Sequence, residues 1–188
     1  MCRIASFVAT KHGDQIAVYW SRHTESHEGI AEEHNIAEQP AEDLPLRTVW
    51  LEVVPPDDDL TRPLEEWVYS VDGEAPDWYA EIAERMEAET RAALRQWAKA
   101  KLFLVGEHEV GAGQVYVEGN AVVTQTIGPG EIGTQTVSGS GTGTQWVYDS
   151  GTGMQWVSDS GTGTQWVYDS GTGITARART DADEEAKL

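Results

Sequence analysis

The sequence has little positive charge. Its 188 residues include 13 Lys and Arg against 32 Asp and Glu, which gives a formal net charge of −19. Affinity for a nucleic acid comes largely from Lys and Arg side chains that displace counterions from the phosphate backbone. We therefore expect no nucleic-acid partner.

Cysteine and long apolar runs are also scarce. Cys2 is the one cysteine, which excludes an intrachain disulfide and a cysteine-based zinc site. No apolar run approaches the roughly 20 residues of a membrane helix, and the first residues lack the apolar stretch of a signal peptide. These absences predict a cytoplasmic protein with no membrane partner.

The composition changes near residue 104. Residues 104–173 contain no Lys or Arg and seven acidic residues, whereas residues 1–103 carry ten of the 13 basic residues. We predict an α+β domain over residues 1–103, an all-β solenoid over 104–175 and a flexible charged tail over 176–188.

The first segment alternates β-forming and helical patterns. Short runs of β-forming residues predict strands near 4–9, 16–21, 49–54 and 67–71. Thr24 or Ser26 is a candidate cap for a short acidic helix, and a second helix is predicted from Pro76 to Leu102. Its apolar residues recur every three or four positions, as on one buried face; they include Met86, Ala93, Leu94 and Trp97.

A ten-residue repeat begins at Thr124. Gln recurs at the second position, a β-branched residue at the fourth and Gly at the tenth. A short fixed period indicates units that stack on their neighbours. We predict a β-solenoid with ten-residue coils, in which Val147 and Thr152 point inward from opposite sides and residues 149–151 form a tight turn.

In coils of ten residues, three indoles would form one column with two phenols beside it. The predicted binding residues are Trp146, Trp156, Trp166, Tyr148, Tyr168, Thr144 and Thr164. Exposed aromatic patches mark interaction sites, so the column could bind a protein or glycan partner or a second copy of the chain. The alternative is that the rings only stabilise the solenoid or pack against the first domain.

Two sets of residues are candidate metal ligands. Asp149, Asp159 and Asp169 would lie about 5 Å apart and repel by roughly 1 kcal/mol in water. We expect them to form turns in solvent, with a shared calcium ion as the alternative and no other cofactor. The second set comprises His23, His27 and His34, which one helix face could bring together, although their acidic neighbours are typical of a solvated surface.

Four Thr-x-Thr triplets resemble those of ice-binding β-solenoids; they are Thr124-Gln-Thr126, Thr134-Gln-Thr136, Thr142-Gly-Thr144 and Thr162-Gly-Thr164. That resemblance implies a flat threonine face that binds ice. The sequence departs from it at Met154, in the changing register of the triplets, and in the absence of the disulfides of the insect proteins.

The opening Met1-Cys2-Arg3-Ile4 resembles the start of class II glutamine amidotransferases. The resemblance implies that Cys2 becomes an N-terminal nucleophile when Met1 is removed. The family's catalytic domain is longer than the first segment, and its Asn-Gly element is not found, since Gly119-Asn120 has the reverse order. We therefore favour a protein without catalytic activity.

The whole organisation resembles actinobacterial and actinophage proteins of no established activity. They join a small N-terminal domain, with motifs like Trp67-Val-Tyr-Ser-Val-Asp and Pro76-Asp-Trp-Tyr, to C-terminal repeats rich in Gly, Ser, Thr, Val and aromatic residues. The resemblance implies a structural or interaction protein, which would be associated with the virion if it is phage-encoded. We predict self-association or a protein or glycan partner.

Overall fold

The fold was analysed in a computed structural model, which describes residues 5–36, 48–158 and 160–177. The chain divides into two compact units, residues 1–99 and 100–188. The predicted fold class is confirmed, since a small α+β unit is followed by a parallel β-solenoid. None of the helices in the described ranges is long and apolar enough to cross a membrane.

The first unit contains a four-stranded antiparallel sheet with the order β2-β1-β3-β4. Its strands are β1 (Ala5–His12), β2 (Gln15–Tyr19), β3 (Thr48–Val54) and β4 (Val68–Asp72). Burial alternates along β3, so Val49, Leu51 and Val53 lie in the core, as expected when successive side chains point to opposite faces.

Two α-helices accompany this sheet, α1 (His27–Glu33) and α2 (Ala83–Lys101). Ser26 caps α1 by accepting a hydrogen bond from the backbone N–H of Gly29 at 3.2 Å. The predicted start of the second helix at Pro76 is wrong, because a 3-10 helix over Asp77–Tyr79 precedes α2. Further 3-10 helices span Pro56–Asp58 and Leu64–Glu66.

One face of α2 supplies much of the core of the first unit. The predicted positions Met86, Ala93, Leu94 and Trp97 are buried, whereas Trp78, Ile82 and Leu102, which follow the same spacing, are only partly buried and lie outside α2. Thr90 lies among the buried residues, and its hydroxyl donates to the carbonyl of Met86 at 2.8 Å. Trp97 packs edge-on against Trp67, with ring centroids 6.0 Å apart. The three-and-four spacing in the sequence therefore identified the buried face correctly.

The second unit is built from seven strands. They are β5 (Leu102–Val110), β6 (Gly113–Ile127), β7 (Ile132–Val137), β8 (Thr142–Val147), β9 (Thr152–Val157), β10 (Thr162–Val167) and β11 (Thr172–Arg177). All their pairings are parallel. The long strand β6 takes part in both sides of the solenoid, because residues 113–117 pair with β7 and residues 122–127 pair with β8.

The strand register sets the coil at twenty residues rather than ten. Trp146 pairs with Trp166, whereas Trp156 pairs with Ala176 on the other side. Each decapeptide forms one six-residue strand and one four-residue turn, so it completes only half a coil. A strand of six residues is about 20 Å long, which is far wider than the three-residue sides that a ten-residue coil requires.

Three residues of each of the strands β7, β8 and β9 point into the solenoid. In β8 they are Gly143, Gln145 and Val147, all buried. Thr152, which was predicted to point inward, is instead at a partly exposed outward position. The inward glycines let the two sheets approach closely, since a Cβ atom added to Gly153 would lie 2.5 Å from Cγ2 of Val147.

The buried glutamines form hydrogen-bonded ladders along the solenoid axis. Nε2 of Gln145 donates to Oε1 of Gln125 at 2.8 Å, and Nε2 of Gln165 donates to Oε1 of Gln145 at 2.8 Å. Nε2 of Gln155 donates to Oε1 of Gln135 at 2.7 Å and to the carbonyl of Gly143 in the opposite sheet at 3.1 Å. Buried amides are costly unless they are paired, and the ladders provide that pairing.

Candidate interaction surface

Four aromatic rings stack on the outside of the sheet that contains β8 and β10. We call Trp146, Tyr148, Trp166 and Tyr168 the aromatic face. The two indoles lie 5.9 Å apart with an angle of 18° between their planes, and the two phenols lie 5.2 Å apart at 10°. Trp146 also stacks on Tyr168 at 5.9 Å and 10°. The twenty-residue register produces this stack, because it places identical repeat positions on neighbouring strands.

The aromatic face is accessible and carries no charge. Trp166 is 49% exposed, Tyr168 40% and Tyr148 39%, whereas Trp146 is partly covered. Neither β8 nor β10 contains a charged residue, and the nearest charges in sequence are the exposed Asp149 and Asp169, which follow Tyr148 and Tyr168. Aromatic surface of this kind is typical of binding interfaces, where tyrosine and tryptophan are enriched.

Trp156 does not belong to the aromatic face. It lies on the opposite sheet, where it pairs with Thr136 and Ala176, and it is 42% exposed. The predicted column of three indoles is therefore wrong. The cause is the coil length, because a separation of ten residues places consecutive repeats on opposite sides.

The predicted threonines lie beside the aromatic face. Thr144 pairs with Thr124 and Thr164, and Thr142 pairs with Thr162. The triplets at 142–144 and 162–164 are thus in register with each other, as their separation of twenty residues requires. Thr162 and Thr164 are exposed, and Thr142 and Thr144 are partly buried.

Two of the acidic turn residues, Asp149 and Asp169, occupy equivalent turns of the solenoid. Asp149 and Asp169 both have positive φ, at 49° and 52°, a conformation that aspartate tolerates better than most residues. The turn of Asp149 is closed by a 2.9 Å hydrogen bond from the backbone N–H of Gly151 to the carbonyl of Tyr148. The turn after β9 lies on the other edge, since the N–H of Ser158 donates to Val137; Asp159 itself is outside the described residues. The predicted column therefore includes a residue outside the described ranges, and calcium binding by these residues stays a prediction.

The three candidate histidines do not share one helix face. Nε2 of His34 contacts the carbonyl of Trp20 at 3.0 Å, whereas Nε2 of His27 contacts the carbonyl of Leu51 at 3.2 Å. His23 is exposed and precedes α1. The helix predicted to align these residues covers only His27–Glu33, so the predicted histidine cluster is wrong.

Comparisons with protein-family models, with curated proteins and with solved structures found no match. Cys2 and the tail residues 178–188 lie outside the described residues, so the amidotransferase hypothesis and the flexible tail stay predictions.

Proposed function

We propose that this chain is a non-catalytic interaction protein whose aromatic face binds a second copy of the chain. The observation that supports the proposal is the stack of four parallel rings on an uncharged sheet surface. A flat surface that repeats along the solenoid axis can pair with itself about a two-fold axis, as in most homodimers.

The scaffold beneath the rings favours binding. Continuous parallel strand pairing and the glutamine ladders hold Trp146 and Trp166 on adjacent strands. Rings that are already ordered by stacking lose little conformational entropy when a partner covers them. Tryptophan and tyrosine also contribute a large share of the binding energy at protein interfaces.

A glycan or another protein is the alternative partner. Flat indole and phenol faces at a spacing of 5.2–5.9 Å also suit sugar rings that stack in series. We also propose that the protein is cytoplasmic, or part of the virion if the chain is phage-encoded.

Sedimentation velocity over a range of protein concentrations tests the proposal. The test variant is Trp166→Thr combined with Tyr168→Ser. Both replacements occur at the same repeat positions elsewhere, as Thr136 and Ser158, so we expect the coil to be retained. We expect the native chain to dimerise and the variant to have a dimer Kd at least about tenfold higher, a loss of about 1.4 kcal/mol.

Trp156→Thr is the matched control. It makes the same exchange at the same repeat position and at similar exposure, but on the opposite sheet. Its dimer Kd should equal that of the native chain. A native chain that stays monomeric would contradict self-association, and retardation by soluble β-glucan in affinity electrophoresis would then favour the glycan alternative.

Ice binding is a second candidate because of the threonine register. Thr124, Thr144 and Thr164 form one column and Thr142 and Thr162 another, which gives a regular array of hydroxyls on one sheet. Thermal hysteresis measured for the native chain and for Thr144→Val tests this function. An absence of ice-crystal shaping by the native chain would exclude it.

A further inference from the structure

Three side chains that the sequence does not group together converge in the first unit. They are His27 at the start of α1, Glu52 in β3 and Asp72 at the end of β4. One nitrogen or oxygen atom from each lies within 4.8 Å of the other two. The sheet register explains why the two carboxylates are close together, because Trp50 pairs with Asp72 and Glu52 pairs with Ser70. Glu52 and Asp72 are therefore diagonal neighbours on one face of the sheet.

The imidazole of His27 is held in one orientation. The side chain is buried, and its ring stacks on Trp50 with centroids 5.0 Å apart and an angle of 9° between the planes. Nε2 lies 3.2 Å from the backbone carbonyl oxygen of Leu51. A carbonyl oxygen only accepts hydrogen bonds, so Nε2 carries the proton. In the neutral ring, the lone pair is then on Nδ1.

That lone pair points to the carboxylates. Nδ1 of His27 lies 3.4 Å from Oδ2 of Asp72. A nitrogen lone pair beside two carboxylates is unfavourable unless a proton or a cation lies between them. Histidines that bind a metal characteristically donate their other ring N–H to a carbonyl or carboxylate, as His27 does to Leu51.

We propose that His27, Glu52 and Asp72 bind a divalent transition metal ion, with Zn²⁺ as the best fit. Zinc accepts imidazole nitrogen and carboxylate oxygen at about 2.0–2.2 Å, usually with four ligands. Two such ligands at the tetrahedral angle are about 3.4 Å apart, which is the separation of Nδ1 and Oδ2. A water molecule supplies the fourth ligand, and the half-exposed Asp72 gives the ion a path from solvent.

Zinc binding to the full-length chain tests the proposal. After treatment with a chelator and its removal, isothermal titration with Zn²⁺ should show one equivalent bound. Asp72→Asn and Glu52→Gln should each raise the Kd at least about tenfold. Asp72→Asn is the most informative variant. The side chain of Asp72 is half-exposed, so its replacement should not unfold the chain, and lost zinc binding can be assigned to the lost carboxylate. Far-UV circular dichroism checks the fold of every variant.

His34→Gln is the matched control. His34 lies in the same unit and also contacts a backbone carbonyl, but the carbonyl belongs to Trp20. Zinc affinity should be unchanged in this variant. A thermal shift gives an independent readout, since Zn²⁺ should raise the Tm of the native chain and not that of Asp72→Asn.

Two results would overturn the proposal. The first is no saturable zinc binding by the native chain. The second is native-like zinc affinity in Asp72→Asn and Glu52→Gln, which would place the ion elsewhere. The site is separate from the aromatic face, so neither result bears on self-association.

Discussion

Thr175 lies beside Gln155 on the neighbouring strand, one coil further along the chain. Its hydroxyl does not pair with Gln155 but donates to Oε1 of Gln165 at 3.2 Å. Gln155 is 1% exposed, and its Oε1 has no hydrogen-bond partner within the described part of the chain. In the preceding coils this oxygen accepts from the amide of the next glutamine, as Gln135 does from Gln155. The ladder is thus incomplete at its last position.

Thr175→Gln should complete the ladder and stabilise the solenoid. An unpaired buried acceptor costs about 1–3 kcal/mol, and an amide at position 175 can donate to Gln155. We expect the free energy of unfolding in urea to rise by about 1 kcal/mol, measured by circular dichroism. Thr175→Met has a similar length and no amide, so it should give no comparable gain. Equal stabilisation by both variants would attribute the effect to apolar burial instead of the hydrogen bond.

Gly153→Ala should destabilise the solenoid by preventing the close approach of its sheets. The added Cβ would lie 2.5 Å from Cγ2 of Val147 and 3.0 Å from Nε2 of Gln165. Overpacking of this kind costs about 1–3 kcal/mol, which urea unfolding would measure. Gly111→Ala is the control, because no atom lies within 4 Å of its added Cβ. Because replacing Gly by Ala lowers the entropy of the unfolded chain and by itself stabilises a fold, an equal loss in both variants would contradict the close contact at Gly153 as the cause.

The repeat in the sequence predicted the solenoid but not its coil length. A period of ten is compatible with a whole coil or with half of one, because both keep identical residues in register. The choice depends on the interior, where Gly143, Gln145 and Val147 point inward together. Glutamine is ordinarily found on the surface, so the recurring Gln in the sequence indicates the period of the repeat but does not predict a buried position. The structure shows that the glutamines can be buried because the side-chain amides of Gln145, Gln155 and Gln165 each donate a hydrogen bond to the glutamine one coil before.

Sequence patterns do not predict the candidate metal site, for a different reason. Its ligands come from α1, β3 and β4, and only the sheet register brings Glu52 beside Asp72. The order of the chain instead groups His27 with its neighbours His23 and His34, on a predicted helix longer than the observed one. Local periodicity predicts which face of a helix is buried, as it did for α2, but not which strands become adjacent.

Asp149→Asn should raise the stability of the solenoid at low salt. Asp149 and Asp169 occupy equivalent turns one coil apart, and neighbouring strands are about 4.8 Å apart. Asparagine retains the tolerance for positive φ and removes one of the two repelling charges. We expect a higher Tm at low ionic strength, and the difference should disappear at high ionic strength.

Asp149→Ala separates the two contributions of this residue. It also removes the charge, but alanine is less suited than asparagine to the positive φ of 49°. Its Tm should therefore be below that of Asp149→Asn at every salt concentration. Identical Tm values for the two variants would mean that the backbone conformation of this turn contributes nothing to stability.

Self-association through the aromatic face should strengthen as salt is added. The chain carries a formal net charge of −19, so two copies repel each other at long range, whereas the four rings of the aromatic face are themselves uncharged and the exposed Asp149 and Asp169 beside them add to the repulsion. Raising the salt from about 0.01 M to about 1 M shortens the Debye length from about 30 Å to about 3 Å. Sedimentation velocity should therefore show a lower dimer Kd at high salt for the native chain and for Trp156→Thr. The Trp166→Thr, Tyr168→Ser double variant should remain weaker than both at every concentration of salt. Dimers that dissociate as salt is added would instead indicate a contact between opposite charges, and the aromatic face would then not be the interface.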